Sequence, residues 1–139
     1  MGCKKDSSTA GPASLSATID GTVWTANQVS GIASAKTAAT SITAKNAAGE
    51  QLIVAFYSHD TGTITFKYND AYSFGTYATT GDSYSTYNSN SPLGNVTISV
   101  FDKTQKIISG SFSFVGKNSS GDKKTITEGK FANVPYTTN

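Results

Sequence analysis

From Leu15 onward apolar residues recur at every second position, and clusters of Gly, Asn, Asp and Ser interrupt them roughly every ten residues. That rhythm predicts strands and turns. Leu15, Ala17 and Ile19 alternate with Ser16 and Thr18, Asp20-Gly21 supplies a pair that tolerates positive φ, and Val23-Trp24-Thr25 starts the return strand of a hairpin. Thr37 to Lys45 alternates around Ile42 and passes through Asn46-Ala47-Ala48-Gly49 into a strand from Glu50 to Tyr57, with one helical turn conceivable in the Ala-rich stretch Ala33 to Ala39. The run Leu52 to Tyr57 is apolar on both faces, as a central strand would be, and is far too short to span a bilayer as a helix.

Further along, Thr63 to Tyr68 places Ile64, Phe66 and Tyr68 on one face. Tyr72 to Thr79 and Ser83 to Tyr87 read as two more strands around Thr80-Gly81-Asp82, and Asn88 to Gly94 is the longest polar connection. Val96, Ile98 and Val100 then lead through Asp102 to Gln105 into a strand carrying Ile108, Gly110, Phe112 and Phe114. After a turn at Lys117 to Lys123, a final strand offers Ile126, Phe131 and Val134 to the core and should end, or lie at an edge, at Pro135. The pattern as a whole predicts an all-β fold, a single antiparallel domain of about eight to ten strands in a two-sheet sandwich or a flattened barrel.

Composition narrows the partners. The chain has 139 residues, room for one ordinary domain, with 37% hydrophobic and 14% charged residues and a net charge of +2. It contains no arginine, the residue best fitted to phosphate and guanine, so nucleic acid is not an expected partner. Residues 1–14 are low in apolar content and read as a flexible tether, while residues 15–139 are expected to form the β domain.

The only cysteine, Cys3, stands at the start of that tether in Met-Gly-Cys-Lys-Lys-Asp. An unpaired cysteine followed by a short Ser/Thr/Ala/Gly/Pro tract reads as the acylated residue of a mature bacterial lipoprotein, whose signal would have been removed immediately before it. Myristoylation would want Ser or Thr at the sixth position, where Asp6 stands. The remaining reading is an incidental cysteine in a cytosolic leader. Lipidation predicts attachment to a membrane, at the outer membrane of the cell envelope, without a transmembrane helix.

Two pieces of the chain resemble an uncharacterised family of small Bacteroidetes-type envelope lipoproteins. Ala17 to Ala26 is similar to that family's A-x-I-D-G-x-x-W-x-A opening hairpin, and Gly129-Lys130-Phe131-Ala132-Asn133-Val134-Pro135-Tyr136 is similar to its ending. The resemblance implies a fold and an address. It supplies no catalytic or binding residues.

Candidate chemistry is sparse. His59, the only histidine, stands beside Asp60 without a nucleophile-elbow pattern, and one histidine with one cysteine cannot make a structural zinc site. A glycosidase pair would have to draw on Glu50 and Glu128, the only glutamates, or on aspartates. Asp20, Asp70, Asp82, Asp102 and Asp122 all sit where Asp stabilises turns, and Asp60, Asp70 and Asp82 lack calcium-loop spacing. No metal, cofactor or catalytic residue is therefore expected. Half of the Phe and Tyr residues, seven of fourteen, lie between Phe66 and Tyr87. Tyrosines on the polar strands, Tyr77, Tyr84 and Tyr87, are the candidate ligand contacts, since a phenol suits stacking on a sugar or packing against a protein. These readings lead to a non-catalytic binding or structural module for a glycan or protein. The competing readings are a barrel holding a small apolar ligand inside and a hydrolase built on Asp, Glu and His59.

Overall fold

The computed structural model describes residues 12–88 and 93–139. Cys3 and almost all of the predicted tether lie outside the described residues, as does the centre of the Asn88 to Gly94 connection.

Among the described residues eleven strands follow one another: β1 (Ser14–Ile19), β2 (Thr22–Thr25), β3 (Gln28–Ala33), β4 (Ala39–Lys45), β5 (Gln51–Tyr57), β6 (Gly62–Thr65), β7 (Phe74–Ala78), β8 (Ser83–Ser85), β9 (Gly94–Asp102), β10 (Ile107–Lys117) and β11 (Lys123–Thr138). A single 3-10 turn, Thr86–Asn88, follows β8. The all-β expectation holds, but the architecture is a single mixed sheet in the order β2-β1-β11-β3-β4-β5-β7-β8-β10-β9-β6, not a two-sheet sandwich. β10 and β11, well separated in that order, also pair directly over most of their length, so the sheet bends back on itself around its apolar side.

The reason lies in β11, which at sixteen residues is long enough to serve three neighbours. One edge pairs with β10; the other pairs antiparallel with β1 from Ile126 to Ala132 and then parallel with β3 from Tyr136 to Thr138. That parallel pair departs from the purely antiparallel expectation. Pro135 falls between the two stretches, where no strand neighbour on that edge asks for its missing N–H, so the strand runs through it instead of ending. Register shifts between Thr127 and Lys130 and within the β10–β11 ladder are bulges, with Glu128 (φ 51°) and Asn133 (φ 53°) in the left-handed region. Bulges sharpen the twist and let one long strand wrap the core.

Local chemistry corrects three further expectations. Ala33 to Ala39 has no helical turn: Ser34 Oγ accepts the N–H groups of Lys36 and Thr37, which closes a bend between β3 and β4. The strand expected to reach Tyr68 stops at Thr65, because the chain turns at Asn69 (φ 61°), leaving Phe66 buried and Tyr68 exposed. β3 has no forerunner in the sequence pattern, since Gly31 at its centre reads as a break. A Cβ there would sit 3.2 Å from Tyr136 Cβ, so the close approach of β11 selects glycine.

The core is one cluster. Leu15, Ile42, Leu52, Val54, Phe56, Phe66, Ile98, Ile108, Phe114, Ile126, Phe131 and Val134 are almost fully buried. Phe114 packs edge-on against Phe66 and lies over Gly75, where any Cβ would approach the ring to 2.5 Å. Side chains therefore fill the interior that a barrel ligand would need.

Candidate functional site

Five consecutive strands of the sheet, β3, β4, β5, β7 and β8, turn one face to the core and the other outward. Gly31, Ile42, Val54 and Gly75 form a buried row, and alternation turns the neighbouring row, Ile32, Ser41, Ala55 and Phe74, to the other face, where Ala55 is itself covered. The next outward row reads Ser30, Thr43, Ile53, Thr76 and Ser85, and the one beyond it Gln28, Lys45, Gln51, Ala78 and Ser83. Lys45 is the only charged residue in these three rows. At ~4.8 Å per strand the face is about 19 Å wide, small-residued and hydroxyl-rich at its centre.

Aromatic residues edge it. Tyr57 and Tyr72 meet edge to face at 5.0 Å, and Ile32, Tyr57, Tyr72 and Tyr87 account for four of the seven large apolar side chains exposed among the described residues. Two open depressions adjoin here and share Ala71 and Phe74. One, about 280 Å³, includes Ile32, Ser41 and Tyr72; the other, about 480 Å³, includes Thr76, Ser85 and Tyr87. The turn before β7 is held by Asp70, whose Oδ1 accepts the N–H groups of Tyr72 (2.8 Å) and Ser73 (3.2 Å), while Thr76 and Ser85 share a 3.1 Å hydroxyl bond.

The three tyrosines singled out in the sequence do not share one surface. Tyr87 is exposed and stands in the larger depression. Tyr77 and Tyr84 pair across β7 and β8 and stack at 6.2 Å, but on the opposite side of the sheet, with Tyr77 buried. Their parity along the strand decides this: Tyr77 is in step with Gly75, and Phe74 and Thr76 take the outside. Tyr72 was visible only as one of an aromatic-rich segment, and Tyr57 only as the end of an apolar run. Neither residue's exposure had a signal in sequence.

Tyr77 and Tyr84 belong instead to a polar cluster. Glu50 Oε1 accepts the indole N–H of Trp24 (3.0 Å) and the Asn46 amide (2.9 Å), and its carboxylate acts on the Tyr77 phenol. Burial first, then the neighbouring Glu50 carboxylate, push the Tyr77 phenol up to about 12. Burial, followed by the charge of Asp82, raises Tyr84 as well, and Asp82 is held low by the Asn118 amide at 2.6 Å and by the Ser83 N–H. Lys124 lies 5.7 Å above the Tyr84 ring and 3.5 Å from Asp20 Oδ2. Asp20 Oδ1 accepts the Thr125 N–H, tying the β1–β2 turn to the start of β11.

The residues a hydrolase or a cation site would use are spread over several turns and one strand bulge. His59 packs on Phe101 at 5.4 Å, Asp60 pairs with Lys103 at 3.7 Å, and Glu128 occupies the bulge of β11. Asp102 caps its own turn by accepting from Thr104 and Gln105. Among the described residues no group of three His, Cys, Asp or Glu side chains comes together.

Comparison with known proteins gives one result. No curated protein and no solved structure matches the chain. Residues 11–135, nearly all of the sheet, match the model of a family described as a domain of unknown function (DUF6252), and the chain belongs to that family.

Proposed function

We propose that the protein is a lipid-anchored bacterial envelope module that binds an uncharged, ring-bearing ligand, a glycan strand in the first instance, without transforming it. The observation that carries this reading is the outer face of β3–β4–β5–β7–β8, where Tyr72, Phe74 and Tyr87 flank hydroxyl-bearing rows that contain a single charge. Aromatic faces take the apolar side of a sugar ring, and Ser and Thr hydroxyls exchange hydrogen bonds with its rim. A membrane address rests on Cys3 and its polar tract, together with the resemblance to small envelope lipoproteins. Turn aspartates already engaged with backbone N–H groups support the non-catalytic part.

A glycan array probed with the chain, followed by titration of the best binder, tests the reading. Tyr72→Ala and Tyr87→Ala should each weaken binding about tenfold, and Tyr77→Phe should leave it unchanged. Full binding by the Tyr72→Ala/Tyr87→Ala double variant would remove the outer face from consideration.

A further inference from the structure

A second concave site lies where the end of β11 meets β3. It is a cleft of about 220 Å³ between the Ser34 bend, His59 and the β9–β10 turn, and apart from Ser34 it shares no residue with the outer depressions. Three rings stand in sequence along it: His59 on Phe101 at 5.4 Å, and Phe101 on Tyr136 at 5.2 Å. Lys103 and Lys106 contribute to the same lining.

The charges at its mouth are unequal in effect. Lys103 faces Asp60 at 3.7 Å, and Asp102 Oδ1 is committed to the Thr104 and Gln105 N–H groups. Lys106 Nζ has no carboxylate within 4.0 Å among the described residues; it lies 5.5 Å above the Tyr136 ring and reaches only Thr138 Oγ1, at 3.4 Å. Tyr136 is 7% exposed, and burial, then the charge of Asp102, holds its phenol neutral beyond the ordinary range. An ammonium with no carboxylate within 4.0 Å among the described residues, above an aromatic floor, matches a flat molecule that carries one negative group at its edge.

We propose that this cleft binds a carboxylate borne on a ring, with the carboxylate on Lys106 Nζ and the ring against Phe101 and Tyr136. The chemistry is shared by acidic sugars and aromatic acids. It does not depend on the outer face, because a ligand can occupy either site alone.

His59 is the only histidine, so its imidazole NMR signals report on the cleft without assignment ambiguity, and those of Trp24, the only tryptophan, report on the fold. The full chain is titrated at fixed pH and ionic strength with glucuronate against glucose, and with benzoate against benzyl alcohol. At least one acid should shift the His59 signals saturably, with a dissociation constant on the order of 1 mM, while its neutral counterpart does not. The acid that responds identifies the source. Lys106→Gln should weaken the response roughly tenfold and Lys106→Arg should preserve it, both keeping an unbranched side chain at this left-handed position (φ 59°). Tyr72→Ala should bind as the native chain does, which separates this site from the outer face. Silence toward both acids, equal response to the neutral compounds, unchanged binding by Lys106→Gln, or loss of binding in Tyr72→Ala would each overturn the proposal.

Discussion

Glu50 shows how a polar side chain is used in this protein: it accepts from the indole of Trp24 and the amide of Asn46, and its charge acts on the phenol of Tyr77, groups that come from β2, the β4–β5 turn and β7. The arrangement favours a neutral Tyr77, since a phenolate there would be both desolvated and beside a carboxylate. The folded value of about 12 lies above the ordinary 10.0, so the contribution to stability is complete below pH 10 and is lost as pH rises through 12. It amounts to about 2–3 kcal/mol. Urea unfolding followed across that range should show the native chain losing this increment, and Tyr77→Phe should flatten that part of the profile. At this scale the sequence is readable where the chemistry is local. Asp70 and Asp102 stabilise turns as their positions suggest, because an Asp side chain readily reaches backbone two or three residues away, whereas the Asp20 carboxylate reaches across to Thr125 on β11. Glu50, whose carboxylate acts on the Tyr77 phenol, is remote from it in sequence, and nothing local announces the pair.

Among the elements, packing depends on pairing large rings with absent side chains. Phe114 lies over Gly75, and Phe112 over Gly129, its partner across the β10–β11 ladder. Gly75→Ala should cost about 1–3 kcal/mol, read as a lower urea midpoint with an unchanged slope, because the new methyl meets the Phe114 ring in a filled core. An equal midpoint would mean that the ring can retreat. A continuous apolar run identifies β5, and period-two alternation identifies β1, β4 and β9 to β11, each of which has one buried face. It fails for β3, where Gly31 breaks the apolar count, and it overruns at β6, where Lys67 and Tyr68 continue the alternation past the end of the ladder. In both cases the deciding contact is with a strand remote in sequence.

For the molecule as a whole, the long strand β11 joins the beginning of the domain to its middle by pairing with β1, β3 and β10. The proposed membrane address belongs to this scale too, since a lipid on Cys3 would hold the whole sheet at a surface. Produced behind a lipoprotein signal in a bacterial host, the chain should incorporate labelled fatty acid and sediment with membranes, and Cys3→Ser should do neither. Label on the Cys3→Ser variant, or its absence from the native chain, would refute the anchor.

By itself the sequence determined the all-β class, most turns and the inward residues of individual strands, because alternation and turn chemistry act over a few residues. Only the tertiary structure decided that the strands join into one mixed sheet, that Tyr77 lies inside and Tyr72 outside, and that Lys106 stands above Tyr136. Those outcomes depend on which distant strands pair and in what register, and a one-residue change of register would exchange the two faces.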